Sequence, residues 1–136
     1  MADLSITAAN VKTYAGADMG SGQAGEAITA GQTLYRKAAD GKLWKADDTS
    51  IAKATCLGVA LNNAAADQPV SYAKAGGVNP GAAVIVGTIY GLTDTAGGIS
   101  TIADRAAGDY ITLLGVATTT SRIDLRINAS GVAIAS

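Results

Sequence analysis

The tetrapeptide Leu57-Gly58-Val59-Ala60 returns as Leu114-Gly115-Val116-Ala117, and each copy precedes a stretch that alternates apolar and polar side chains. Those stretches are Val70-Ser71-Tyr72-Ala73-Lys74 and Arg122-Ile123-Asp124-Leu125-Arg126-Ile127. Alternation with period two is the pattern of a strand with one wet face. The match extends outward: Tyr35 aligns with Tyr90, Asp40-Gly41 with Gly97-Gly98, and Gly76-Gly77-Val78 with Ser130-Gly131-Val132. A chain that writes one strand unit twice is constrained to two similar β-halves, here residues 31–78 and 86–132. The halves are expected to close one small barrel or sandwich, which limits exposed sheet edges. Two copies are too few for a solenoid.

Local signals agree with an all-β fold. Thr33-Leu34-Tyr35-Arg36-Lys37 and Lys42-Leu43-Trp44-Lys45-Ala46 flank Asp40-Gly41 and read as a hairpin, because glycine tolerates the positive φ of such turns. Cys56 to Leu61 is a short apolar strand, and Asn79-Pro80-Gly81 is a turn that divides the halves. The most apolar stretch, Ala82 to Leu92, is about half the roughly 20 residues a membrane helix needs, and is read as a buried strand. With no Phe and one Trp, the core is expected to be thin and built from Val, Ile and Leu. Residues 1–30 differ, with Leu4, Ile6, Val11, Tyr14 and Ile28 scattered among small and polar residues without a period. Ordering such a segment costs about 1–2 kcal/mol per residue, so it is expected to be an extended arm that uses a partner's surface. The expected division is an N-terminal arm, 1–30, and a β-domain, 31–136.

The inventory of reactive groups is short. The chain has no His, which excludes Ser-His-Asp and Cys-His nucleophile systems and the usual zinc sets. Asp47 with Asp48, or Asp104 with Asp109, are formal carboxylate pairs, but carboxylates need a pocket to separate their pKa values, and aromatic walls are scarce here. Gly20-Ser21-Gly22-Gln23-Ala24-Gly25 has the letters of a dinucleotide loop without the strand before it or the helix after it, so it is read as flexible arm. Asp47, Asp48 and Thr49 lack the spacing of a calcium loop. Asn128-Ala129-Ser130 is a glycosylation sequon, relevant only to a secreted eukaryotic chain. Cys56 lies in an apolar run and is expected to be a packed thiol. Ten Lys and Arg are interspersed with eleven Asp and Glu, which offers no strong field to a nucleic acid or an anionic membrane. The expectation is a non-enzymatic protein without cofactor or metal. The N-terminus lacks the pattern of a secretory signal, which points to synthesis in a cytoplasm.

From Asp40 to Val78 the chain resembles the head decoration, or cement, proteins of tailed bacteriophages. The resemblance rests on Gly41-Lys42-Leu43-Trp44-Lys45, a polar link, the strand at 57–60, Ala66-Asp67-Gln68, and Val70 to Lys74 before Gly76. In the second half, Asp94-Thr95-Ala96-Gly97-Gly98-Ile99, Ala107-Gly108 and the repeated tetrapeptide are similar to stretches of phage head and tail-fibre proteins. The doubled unit departs from the shorter lambda-type protein. The resemblance implies a small β-tulip-like domain, usually a homotrimer, bound outside an expanded capsid and bracing the major capsid protein. Leu4, Ile6, Val11, Tyr14 and Trp44 are the residues expected at capsid or inter-subunit contacts. The competing readings are a head-fibre or tail-fibre β-module and, further off, a carbohydrate-binding module.

Overall fold

A computed structural model describes residues 4–101 and 109–133, with only the backbone described for 131–133. It is a nearly all-β molecule whose antiparallel sheet curls into a half-barrel. The strands are β1 Lys12–Thr13, β2 Asp18–Gln23, β3 Thr33–Arg36, β4 Leu43–Lys45, β5 Cys56–Ala60, β6 Pro69–Asn79, β7 Ile89–Leu92, β8 Ile99–Thr101, β9 Tyr110–Thr119 and β10 Arg122–Ala133. A 3-10 turn, Ala8–Asn10, and one helical turn, α1 Ile51–Ala54, complete the described elements. Ser50 caps α1, its hydroxyl accepting from the Lys53 N–H, as short polar residues do at helix starts.

The strand order is β4-β3-β5-β6-β10-β9-β7-β8, so the units β3–β6 and β7–β10 have the same internal order and meet through β6 and β10. Their registers match as well. Thr33 pairs with Val59 and Leu34 with Gly58, while Ile89 pairs with Val116 and Tyr90 with Gly115; each ladder then shifts at the next residue. Backbone bonds agree: Gly31 donates to Ala60 O and Gly87 to Ala117 O, each at 2.8 Å. This register equates Leu34, not Tyr35, with Tyr90, one residue from the alignment read in the sequence. The two tetrapeptide glycines are equivalent in function. A Cβ on Gly58 would overlap the Ala73 carbonyl oxygen, and one on Gly115 would overlap that of Asp124, so only glycine lets the neighbouring strand come this close.

Side-chain alternation gives each unit two faces. Ala73 and Val78 share a face despite their odd separation, because the ladder shift between Asp18 and Met19 leaves Lys74 as an extra residue on β6. As a result the two units turn opposite faces inward. The main core takes Tyr35, Cys56, Val59 and Ala73 from the first unit, and Tyr90, Leu114, Ala117 and Ile123 from the second. The first-unit counterparts of that second set, Leu34, Leu57, Ala60 and Tyr72, lie on the other side of the sheet. There Leu34, Ala60 and Tyr72 form a smaller core with Ala24, Ile28, Leu43, Ala64 and Val70, and Leu57 packs against it. The half-barrel is laced across its open side by Thr33 N–H to Gly97 O, Gly97 N–H to Ala46 O and Asp48 N–H to Thr93 O.

Two expectations change. Residues 4–30 are extended but lie along the domain: β1 and β2 pair with β6, Ala24 and Ile28 are buried, and the Leu4 N–H donates to Ile99 O. Backbone pairing does what the sparse apolar side chains cannot do. The Gly20 to Gly25 stretch is accordingly strand and bridge, not flexible loop. Its glycines admit large neighbours, since a Cβ on Gly20 would stand 2.7 Å from the Tyr72 ring and one on Gly22 would stand 3.0 Å from Leu43 Cδ1. Within Ala82 to Leu92 only Ile89–Leu92 is a strand, and Ile85 and Val86 are exposed. A corner at Gly87, with φ of 84°, replaces the expected continuous strand.

Candidate functional site

The five residues expected at contacts fall in three places. Ile6 and Val11 come together over a corner of the domain where glycine is needed, and Leu4 packs against the main core with its N–H on Ile99 O. Cβ atoms on Gly31 and Gly81 would stand 3.1 Å and 2.8 Å from Val11 Cγ2, and the Gly81 one 3.1 Å from Ile6 Cγ2. Both glycines have positive φ. These three side chains therefore seal their own domain.

Tyr14 sits apart from them, half-buried, and its hydroxyl donates to Ser121 O at 3.1 Å. Two cations stand over its ring, Arg122 5.0 Å and Lys12 5.9 Å from the centroid. Arg122 is also paired with Asp124 at 3.0 Å. A shallow groove of about 620 Å³ runs beside this cluster, lined by Ser5, Thr7, Asn10, Lys12, Asn79 and Thr120 among others. Its lining is mostly hydroxyls and amides, groups that hydrogen-bond but do not transfer protons near neutral pH.

Trp44 stands on the first hairpin, in β4, and packs against the main core. It is half-buried, with one face packed over Gly25, where a Cβ would overlap the indole, and with Lys37 Nζ 4.3 Å from the ring centroid. Its Nε1–H donates to the Asp40 carboxylate at 3.2 and 3.3 Å. Asp40 also accepts from the Lys42 N–H, which chiefly holds its carboxyl below the usual carboxylate range, with the indole N–H helping. Arg36 donates to Gly41 O at 2.7 Å, so the turn is held from both sides. The result is an aromatic ledge held in one orientation by Gly25, Lys37 and Asp40. Such preorganisation lowers the entropy lost on binding.

The remaining sequence candidates have structural roles. Asp47 accepts from Thr49 N–H at 3.0 Å and Thr49 Oγ1–H at 2.6 Å, closing the turn before α1, and Asp48 is fully buried. Asp109 immediately precedes β9 and Asp104 lies outside the described residues. Cys56 is buried, and that burial pushes its thiol up to about 12. Asn128 is part of β10, opposite Leu113. Among the described residues no group of three or more His, Cys, Asp or Glu is placed to hold a metal ion, and no helix is long and apolar enough to cross a membrane.

Sequence reasoning missed one surface. Ile85, Val86, Ile89 and Val116 are exposed on the second unit, with Ile89 and Val116 register partners. The signal was the Val-Gly step at 86–87, masked by the apolar run around it. No family model, curated protein or solved structure matches the chain.

Proposed function

We propose that this chain is a structural virion protein, a capsid decoration or cement protein that binds the outer surface of a phage head and stabilises contacts between coat subunits. The observation that carries the reading is the Trp44 ledge. It lies within the stretch of the chain that resembles such proteins, and it presents a fixed, half-exposed indole flanked by Lys37 and Asp40. Interface affinity concentrates in a few anchors of this kind, with Trp prominent among them. On this reading the partner is the major capsid protein. The protein associates with itself as a homotrimer, needs no cofactor, metal, nucleic acid or membrane, and performs no catalysis. Several shallow contacts made at once would give avidity without any single tight one.

The test compares wild type with Trp44→Ala in co-sedimentation with expanded phage heads. Losing a central aromatic anchor costs about 2 kcal/mol or more, so affinity should fall roughly 30-fold or beyond. The variant's circular dichroism should stay that of wild type, because Trp44 lies at the edge of the core. Equal affinity would remove the hairpin from the contact, and failure of wild type to bind any expanded head would remove the capsid.

A further inference from the structure

We infer that the outer edge of β2, at Met19 to Ser21, docks the same edge of a second copy of this chain, the two strands pairing antiparallel about a twofold axis at Gly20. Two separate sets of bonds fix which way β2 turns its backbone. Leu61 N–H donates to Ser71 O, so Ser71 turns away from β2, and its neighbours Val70 and Tyr72 turn towards it. Their register partners Gly22 and Gly20 therefore make the ladder bonds to β6. At the end of the strand Ala24 faces the same way, donating to Gln68 O and accepting from Asp67 N–H. Met19 and Ser21 are left with N–H and C=O directed away from β6, where no described strand pairs with them. The bridge between Ala24 and Leu43 brings β4 alongside beyond Gly22 and closes the edge at that end.

The second unit shows what such an edge takes. Tyr72 pairs with Ala60 in the first unit as Ile123 pairs with Ala117 in the second. Gly20, opposite Tyr72, is thus equivalent to Val78, opposite Ile123, and Met19 and Ser21 are equivalent to Gly77 and Asn79. That second edge is covered by an antiparallel strand: β1 sets Lys12 opposite Asn79 and Thr13 opposite Val78, and Tyr14 N–H donates to Gly77 O at 3.0 Å. The first unit has the same edge without a covering strand among the described residues. In every copy β1 is engaged with β6, whereas the β2 edge is open, so β2 is the strand that a second molecule can offer.

The residues suit a self-contact. In the register that β1 adopts, Met19 of one copy stands opposite Ser21 of the other and Gly20 opposite Gly20, and each Met19–Ser21 pair exchanges N–H···O bonds in both directions. Open edges are ordinarily blunted by charge or proline, and Met19 to Gly25 contains neither. Asp18 stands opposite Gly22 of the second copy, so no like charges face each other. Met19, 58% exposed in the single chain, is covered by the contact. The inference does not rest on the capsid reading, because a twofold contact of this kind joins single chains or threefold rings in pairs alike.

The experiment has two parts, both on the full chain. Met19→Cys and Ser21→Cys are oxidised separately and as an equimolar mixture; Cys56 is buried and does not compete. Opposed residues in a bonded antiparallel pair lie about 5.5 Å apart at Cα, within reach of a disulfide, while the diagonal from a residue to its own copy is about 7–8 Å and is not. The mixture should form the mixed disulfide and each variant alone should not. Sedimentation equilibrium then compares wild type with Ser21→Pro and Ser21→Lys. Wild type should sediment as an even multiple of 13.4 kDa. Both variants should sediment at half the wild-type mass with unchanged circular dichroism, since the Ser21 N–H takes no part in the β6 ladder and proline is tolerated at such an edge position. Ser21→Lys keeps the backbone N–H and tests the edge even if the proline variant misfolds. A wild-type protein of one chain, or of an odd number of chains, would overturn the inference. Folded Ser21 variants that keep the wild-type mass would overturn it too, as would disulfides that form as readily in each Cys variant alone as in the mixture.

Discussion

Alanine at Gly58 or Gly115 sets two effects of opposite sign against each other. In an open strand the added methyl lowers the entropy of the unfolded chain and favours folding by about 0.5–1 kcal/mol. Here the space is taken by backbone. At Gly115 the methyl would stand 2.8 Å from the Asp124 carbonyl carbon and 3.2 Å from Leu125 Cα; at Gly58 it would stand 3.0 Å from the Ala73 carbonyl carbon and 2.8 Å from a Tyr72 ring carbon. Neither carbonyl belongs to a flexible side chain, so relief requires the two strands to part. Overpacking of this kind costs about 1–3 kcal/mol, and a ladder bond lost as the strands separate costs about 1 kcal/mol more. After subtracting the entropic gain, each variant should lose roughly 2 kcal/mol. At about 4 °C per kcal/mol for a domain of this size, each should melt roughly 8 °C below wild type. Thermal unfolding followed by circular dichroism reads this directly. A melting point within about 3 °C of wild type for either variant would refute the steric argument. A large loss at one glycine with none at the other would refute the equivalence of the two units.

Leu114 is fully buried and its counterpart Leu57 only half-buried, so Leu114→Ala should cost about 2–5 kcal/mol in urea unfolding and Leu57→Ala distinctly less. Cys56 should stay unreactive to thiol reagents in the native protein and react at the rate of unfolding, and a fast native reaction would contradict its placement. Its raised folded pKa makes a stabilising contribution that is complete below the ordinary thiol value of 9.0 and lost as pH rises towards about 12. At pH 10 the loss is about 1.4 kcal/mol, and Cys56→Ala should flatten that limb of the stability curve. Tyr35, raised mainly by burial, and Lys42, raised mainly by its hydrogen bond to Asp67, act with the same sign from higher pH. Asp40 has the opposite sign: its depressed pKa gives a contribution present above the ordinary carboxylate range and lost in acid, which Asp40→Asn should remove from the acid limb. Deleting residues 2–20 should destabilise the domain, since it uncovers an edge of β6 and strips Ile6 and Val11 from Gly31, and an unchanged melting point would show the segment to be dispensable for folding.

The strands legible in the sequence were those with apolar runs or alternation closed off by turn residues. Thr33 to Lys37, Lys42 to Ala46, Cys56 to Leu61 and Val70 to Lys74 all hold strands close to where alternation and turn residues place them. The paired units were visible because a glycine that admits a neighbouring carbonyl is fixed in position relative to its strand. Residues 12–23 were opaque because their stability comes from backbone pairing with β6 and from glycines under Tyr72 and Leu43, neither of which leaves an apolar pattern. The extra residue at Lys74 was equally invisible, yet it decides which face of each unit turns inward. Of the contact residues, Trp44 was legible as the single Trp on a hairpin. The exposed face of the second unit was not, because composition alone does not distinguish a buried apolar run from one folded around a corner at Gly87.

The measurement closest to the central proposal is binding of the purified, full-length protein to expanded phage heads and, separately, to unexpanded procapsids, with occupancy counted by electron microscopy. Saturable occupancy of outer-surface sites on expanded heads, and none on procapsids, is the expected result. A protein indifferent to both, or one found only on fibres, would contradict the capsid proposal.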